Sequence, residues 1–211
     1  MQALSAGETV PGADSFVSAT KGVAGVVLAA GLARRMGADK RLAEIGGVPM
    51  VLLAVGAARE AGLSPVVVVT GAEGLALLPE GVSEIRNPDP ARGMASSLAL
   101  GIAALPAAAR AAVVLLADMP GVTAGHVSAL VAAFDPAAGR DICVPVHGGQ
   151  RGNPVLLGQR FFAAIGELAG DRGARGLIAR HASAVAEIEM DAAVLLDVDT
   201  PEQLQAARGK A

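Results

Sequence analysis

The sequence predicts an α/β fold in which helices cover both faces of a mostly parallel sheet. Three short runs of β-branched and other apolar residues, at 23–28, 66–69 and 112–116, are uncharged and alternate with segments of helical pattern. Because each run is apolar on both faces, it is typical of a strand in the middle of a parallel sheet between two helical layers. We therefore expect one three-layer α/β/α domain.

Helical patterns at 49–61, 95–105 and 123–134 lie between and after these strands. Pro49 suits the first turn of a helix, Gly62 suits a helix end, and Thr123 suits an N-cap. Parallel strands joined by helices take right-handed crossovers. The first half of the chain therefore predicts a repeating strand–helix unit.

The second half contains weaker signals. We predict strands near 141–146, 154–157, 184–189 and 193–197, and helices at 159–168, 173–181 and 201–208. Residues 1–20 show neither apolar periodicity nor the basic start and apolar stretch of a secretory signal. We interpret them as a disordered leader before a domain at 21–211.

Composition excludes several classes of protein. The chain has 211 residues, of which 53% are hydrophobic, yet the longest charge-free stretch, 93–109, contains Ser, Gly and Pro and is not a bilayer helix. A net charge of −3 and an aromatic content of 2% argue against a nucleic-acid partner. The single Cys143 excludes an internal disulfide and multi-cysteine metal sites. We expect a cytoplasmic protein with no membrane partner.

The loop after the first strand, LAAGLARRMGADK at 28–40, carries the main functional signal. Gly31 and Gly37 allow backbone amides to approach a ligand, and Arg34, Arg35 and Lys40 supply positive charge. A loop at the carboxyl end of a parallel strand is where open α/β sheets bind ligands. The spacing fits neither a Walker A loop nor a dinucleotide fingerprint. The pattern favours a polyphosphate site, the alternative being a loop with merely solvated charges.

The same loop resembles the signature of the MobA-like nucleotidyltransferases, which include molybdenum cofactor guanylyl- and cytidylyltransferases. Later segments resemble the family's further motifs in the same order: Asn87-Pro88 with GMASSL at 93–98, LADMP at 116–120, RGNPVL at 151–156, GDRGAR at 170–175 and DVDTP at 197–201. The resemblance covers residues 23 to about 207. It implies a Rossmann-like domain of the nucleotide-diphospho-sugar transferase type.

The LAAG and GDRGAR segments are similar to the CTP-using branch of the family. This resemblance implies transfer of CMP from CTP to the phosphate of a molybdopterin-type cofactor, with Mg²⁺ and release of pyrophosphate. It also implies a molybdenum hydroxylase or its maturation chaperone as partner. The alternatives are a guanylyl- or sugar-phosphate nucleotidyltransferase, a nicotine-blue-type oxidoreductase, and a non-catalytic escort. The absence of a G-x-G-x-x-G motif argues against the oxidoreductase.

The resemblance implies a set of site residues. Those expected at the nucleotide are Leu28, Ala29, Ala30, Gly31, Lys40, Asn87, Gly93, Ser97 and Asp118. Those expected to be catalytic are Arg35, Lys40 and Asp118, the metal ligands are Asp118 and Asp199, and the acceptor residues are Asn153, Asp171 and Arg175.

The residues themselves support the metal prediction. Asp118 closely follows a buried strand, so its carboxylate should emerge at the sheet edge beside the first loop. Asp199 comes directly after the predicted strand at 193–197. One or two carboxylates with phosphate oxygens are the ligands that Mg²⁺ prefers. The alternative for each aspartate is an N-cap of the helix that follows.

Overall fold

The computed structural model describes residues 20–31 and 42–209. Its strands are β1 (Val23–Ala29), β2 (Glu44–Ile45), β3 (Val48–Pro49), β4 (Val66–Thr70), β5 (Val82–Arg86), β6 (Ala111–Leu116), β7 (Ile142–His147), β8 (Gln150–Arg151), β9 (Val155–Gly158) and β10 (Val185–Glu189). Its α-helices are α1 (Met50–Glu60), α2 (Met94–Ala103), α3 (Ala124–Ala133), α4 (Phe162–Gly166), α5 (Arg175–Arg180) and α6 (Pro201–Arg208).

In the described part of the chain, eight strands form one mixed sheet in the order β10-β7-β9-β6-β1-β4-β5, with β8 paired to β7. The pairs β1–β4, β1–β6, β4–β5 and β7–β10 are parallel. Strand β9 runs antiparallel to both β6 and β7. The mostly parallel sheet that the sequence predicts is therefore confirmed, with one reversed strand inside it.

Helices cover both faces of this sheet because β1 is apolar on both sides. Val23 and Val27 pack with α1 and α3 on one face. Val26 and Leu28, which alternate with them, pack with α2, α4 and α5 on the other. A third, small cluster joins the β2–β3 hairpin to α6. The result is the expected three-layer arrangement.

The helix ends follow the sequence signals. Thr123 is the N-cap of α3, and its backbone N–H donates a 3.0 Å hydrogen bond to Nδ1 of His126. Gly62 follows α1 with φ of +76°, and its N–H donates to the carbonyl of Arg59. The conformation after α1 therefore favours glycine.

The strand predicted at 193–197 is wrong. Residues Ala192–Leu195 instead form a 3₁₀ turn capped by Asp191, whose carboxylate accepts from the N–H of Ala193. The carbonyl of Val194 accepts a hydrogen bond from Asn153 rather than from a strand partner. Strand β5 and the β2–β3 hairpin, in turn, are not among the predicted strands.

Two further predictions concern the leader and the membrane. The leader predicted at 1–20 lies almost wholly outside the described residues. Among the residues that are described, the structure contains no helix with the length and apolar character needed to cross a bilayer.

Candidate active site

A cavity of about 510 Å³ opens at the carboxyl edge of the parallel strands. Its described walls come from the ends of β1 and β6, from the segment between β5 and α2, and from the loop before α5. They are Leu28, Ala30, Gly31, Pro90, Ala91, Gly93, Met94, Ser97, Leu116, Asp118 and Asp171. Residues from four distant parts of the sequence therefore share one space.

The first wall continues directly from β1. The carbonyl of Leu28 accepts a 3.1 Å hydrogen bond from the N–H of Ala117. The segments that follow β1 and β6 therefore begin side by side. Ala30 is buried and Gly31 is exposed in the cavity wall. The predicted catalytic residues Arg35 and Lys40 belong to the part of this loop that lies outside the described residues.

Asp118 lies two residues beyond β6 and lines the cavity beside Gly31. Its side chain is half-buried. The N-cap of α3 is Thr123. Asp118 is therefore not the N-cap of the helix that follows it. It lies at the sheet edge, where the sequence predicts it.

Asp199 does not follow a strand, but its segment lies beside that of Asp118. The backbone N–H of Val198 donates a 2.8 Å hydrogen bond to the carbonyl oxygen of Asp118. The N-cap of α6 is Thr200, so the cap alternative does not apply to Asp199 either. Both aspartates predicted as metal ligands therefore lie on hydrogen-bonded neighbouring segments, although Asp199 is not among the cavity-lining residues.

Asn87 lies behind the cavity wall rather than in it. Its side chain is almost fully buried, and its Nδ2 donates 2.9 Å hydrogen bonds to the hydroxyl oxygens of Ser96 and Ser97. Its Oδ1 accepts from the N–H of Asp89. Asn87 thus holds the start of α2 and the loop before it, and it reaches the cavity through Ser97.

Gly93 is in close contact with the loop before α5. It has φ of +94° and ψ of 176°, a backbone conformation essentially restricted to glycine. A Cβ there would lie 2.6 Å from the carbonyl carbon of Gly170 and would also meet Asp171. The N–H of Ala95 donates to the carbonyl of Gly170 at 3.0 Å. The absence of a side chain at position 93 therefore allows two cavity walls to meet.

A second cavity of about 230 Å³ adjoins the first. Leu28, Met94, Leu116 and Asp171 line both. Its floor is apolar, and its polar lining consists of the three predicted acceptor residues, Asn153, Asp171 and Arg175, together with Arg172. The structure thus groups the predicted acceptor residues and places them next to the larger cavity.

The structure separates other predicted residues from this space. Ala29 is buried inside β1 and lines neither cavity. In turn, Pro90, Ala91 and Met94 line the larger cavity although the sequence interpretation gave them no role in binding. Strand β5 brings this segment to the same sheet edge, but its sequence, VSEIR, has no regular alternation of apolar and polar residues that would have revealed it.

Comparison with known families accounts for this arrangement. The family model of the MobA-like NTP transferase domain matches residues 25–185. The chain belongs to this family. The matched region contains both cavities' walls, so nucleotidyl transfer is the class of reaction that membership assigns to the site.

Solved structures agree on the fold. The homologue of Mycobacterium tuberculosis Rv0371c from Mycobacterium sp. strain JC1 is 31% identical, with a TM-score of 0.78 over 90% of this chain and 96% of that one. Rv0371c of M. tuberculosis H37Rv, solved in complex with manganese, is 25% identical with a TM-score of 0.75, over 90% and 99%. A nucleotidyl transferase from Methanothermobacter shares the fold at 19% identity and a TM-score of 0.74, over 89% and 96%. No curated protein sequence matches the chain.

Proposed function

We propose that this nucleotidyltransferase moves CMP from CTP to the phosphate of a molybdopterin-type cofactor and releases pyrophosphate. The observation that carries the proposal is that the Asp118 cavity adjoins a second chamber containing two arginines, with Asp171 common to both. The larger cavity suits a nucleoside triphosphate and the smaller one the acceptor. The resemblance of the LAAG and GDRGAR segments to the CTP-using branch of the family favours CTP over GTP.

The reaction is limited by charge repulsion. A phosphate oxygen of the acceptor attacks the α-phosphorus, and the bond to the bridging oxygen breaks so that the electron pair leaves with pyrophosphate. Two like charges about 4 Å apart repel by roughly 4 kcal/mol at an effective dielectric of about 20. Since about 1.4 kcal/mol is a factor of ten in rate, the site must supply positive charge.

A divalent cation fits the donor set. Asp118 and Asp199 offer hard carboxylate oxygens from adjacent segments, the type of ligand that Mg²⁺ and Mn²⁺ prefer. The manganese complex of a relative supports a divalent ion, and we propose Mg²⁺ as the native one. When bound, such an ion neutralises charge on the substrate phosphates.

The protein's own residues bind and orient the two substrates. Exposed Gly31 leaves room for the nucleotide to approach the backbone, Gly93 lets the two cavity walls meet, and Ser97 presents a hydroxyl that Asn87 holds in place. In the second chamber Arg172 and Arg175 would attract the acceptor phosphate. We retain Lys40 as a phosphate ligand and Arg35 as the residue that stabilises the leaving pyrophosphate.

Calorimetric titration with CTP, GTP and ATP in the presence of Mg²⁺ tests the nucleotide. CTP should bind at least tenfold more tightly than GTP, a difference of about 1.4 kcal/mol. A preference for GTP would move the protein to the guanylyl branch. Mass spectrometry of products from a panel of molybdopterin, sugar-phosphate and polyol-phosphate acceptors then identifies the acceptor. A cytidylylated sugar phosphate would overturn the molybdopterin assignment.

We further propose that the protein acts in the cytoplasm and delivers its product to a molybdenum hydroxylase or the chaperone that matures it. The support is the family resemblance and the single buried thiol, which needs no oxidising compartment. Co-purification of such an enzyme with the tagged chain tests this partner. Delivery of the product without any contact between the proteins would contradict it.

A further inference from the structure

The residues between β10 and α6 touch both parts of the site. We call residues 191–198 the connecting segment. Near its middle, the carbonyl of Val194 accepts a 2.9 Å hydrogen bond from the N–H of Asn153 in the smaller cavity. At its end, the N–H of Val198 donates to the carbonyl of Asp118 in the larger cavity. The segment therefore supports one residue in each chamber.

The contact on the acceptor side is unusually close. Val194 is fully buried. A Cβ on Gly152 would lie 2.8 Å from the carbonyl carbon of Val194 and would overlap its oxygen. The backbones of Gly152 and Val194 are in close contact, with no space between them. Any shift of the 3₁₀ turn at Ala192–Leu195 therefore displaces Gly152 and Asn153 as well.

A histidine–aspartate pair fixes the start of the segment. Oδ1 of Asp191 caps the turn by accepting from the N–H of Ala193 at 2.8 Å, and Oδ2 lies 3.3 Å from Nε2 of His126. Nδ1 of His126 accepts from the N–H of Thr123, so the ring proton is on Nε2, facing the carboxylate. The His126 side chain is 11% exposed, which fixes its orientation.

We propose that His126 and Asp191 are positioning residues that hold Asn153 in the acceptor chamber through Val194. His126 anchors Asp191 to the rigid start of α3, Asp191 caps the turn, and the turn presents the carbonyl that binds Asn153. Neither His126 nor Asp191 lines either cavity. Their effect is therefore indirect and confined to the acceptor side.

The other end of the connecting segment has its own anchor. Val198 is buried in the small cluster with Ile45, Met50 and Leu204. The Thr200 cap of α6 follows directly. Loss of the His126–Asp191 pair should therefore loosen Asn153 while leaving the hydrogen bond between Val198 and Asp118 in place.

The charges around Asp191 agree with an ionised carboxylate at this position. The pKa of Asp191 is lowered chiefly by the hydrogen bond from Ala193, with a further contribution from the nearby His126 and His147. Nδ1 of His147 lies 3.9 Å from Oε1 of Glu189 and 2.8 Å from the carbonyl oxygen of Met190.

The variants His126→Gln and Asp191→Asn test the proposal. Glutamine at the third position of a helix can still accept from the N-cap N–H, so His126→Gln keeps the start of α3 while removing the contact with Asp191. Asp135→Asn is the matched control. Asp135 also caps a 3₁₀ turn and pairs with an exposed cation, Arg140, but no hydrogen bond between described residues links that turn to either cavity.

Hydrogen–deuterium exchange is the first measurement. Both variants should increase exchange in the peptide containing Gly152 and Asn153, with that containing Asp118 unchanged, and Asp135→Asn should alter neither. Unchanged exchange at Asn153 would overturn the proposal, and so would equal loosening of Asp118. This measurement does not depend on the substrate.

Kinetics provide the second measurement and rest on the proposed function. The KM for the molybdopterin acceptor should rise roughly fivefold, as expected for the loss of one hydrogen bond worth about 1 kcal/mol, while the dissociation constant of CTP stays within about twofold. Parallel loss of CTP affinity would identify a general structural defect and overturn the positioning role. Absence of turnover in the wild type would count against the proposed function but leaves the exchange test intact.

Discussion

Val198 and Asp118 are joined by a 2.8 Å hydrogen bond between their backbones, although 80 positions separate them in sequence. This bond brings the segment of Asp199 alongside the aspartate that lines the larger cavity. Two aspartates from different parts of the chain thus lie on neighbouring segments.

Asp118→Asn should abolish most of the metal-dependent turnover while the protein stays folded. The amide keeps the volume of the side chain but removes a charged ligand, so we expect a loss of about 10²- to 10³-fold in kcat. Steady-state kinetics with Mg²⁺ and thermal melting measure the two effects. Asp135→Asn, the same change at an exposed ion pair, is the control. Activity within a factor of two of the wild type would remove Asp118 from the mechanism.

Gly93→Ala should be far more harmful than Gly81→Ala. Both glycines have positive φ, but a Cβ at Gly81 has no neighbour within 4 Å, whereas one at Gly93 collides with Gly170. We expect the free energy of unfolding to fall by about 1 kcal/mol for Gly81→Ala and by about 3 kcal/mol for Gly93→Ala. Urea unfolding measures this difference. Gly93→Ala should also weaken CTP binding because the wall at Asp171 must move, and equal effects of the two substitutions would contradict this account.

Arg160→Ala should destabilise the protein more than Arg140→Ala. Nη2 of Arg160 lies 2.9 Å from Oδ2 of Asp141, a carboxylate that is only 5% exposed. Apart from this ion pair, that oxygen accepts no hydrogen bond from the described residues, so loss of the arginine leaves a buried charge uncompensated.

The expected cost of Arg160→Ala is about 2 to 3 kcal/mol, against less than about 1 kcal/mol for the exposed pair of Arg140 with Asp135. Chemical denaturation of both variants measures it. Adding Asp141→Asn to Arg160→Ala should recover part of the loss, and a double variant as unstable as the single one would show that the buried charge is not the cause.

Cys143 should make the protein less stable at alkaline pH. Burial raises the pKa of its thiol to about 12, with a smaller opposing effect of Arg140. In the unfolded chain the thiol ionises near pH 8.5, so folding stability is full below that pH and falls as the pH rises toward 12. At pH 10 the free energy of unfolding should be about 2 kcal/mol lower than at neutral pH.

Urea unfolding of the wild type and of Cys143→Ala at pH 7.5 and 10 measures this effect. The alanine variant should lose about 2 kcal/mol less than the wild type between the two pH values. Identical pH dependence would show that another group is responsible. The native thiol should also resist aromatic disulfide reagents at pH 8, because its side chain is fully buried.

Much of the fold follows from local sequence. The runs that became β1, β4 and β6 are apolar on both faces, and only a central position in a covered sheet buries both. Because β1 and β6 are neighbours, the loop after one and Asp118 after the other had to reach the same edge. The sequence therefore allowed the central part of the site to be predicted.

The remaining features depend on contacts between distant segments. Strand β5 has polar and half-buried positions, as edge strands do, and its pattern is weak. The apolar run at 193–197 resembles a strand, but its Val194 carbonyl accepts from the N–H of Asn153, and the run pairs with no strand in the described part of the chain. The contact of Gly93 with Asp171 joins the two cavities, and no local spacing indicates it.

The reversal of β9 has a consequence for how specificity can change. Residues at the exits of β1 and β6 line the larger cavity, whereas Asn153 enters the smaller one just ahead of a strand that runs the other way. Substitutions in the hairpin between β7 and β9, other than at Gly152, can thus change the lining of the smaller cavity without altering where β1 and β6 end. The two cavities can therefore vary independently at this position.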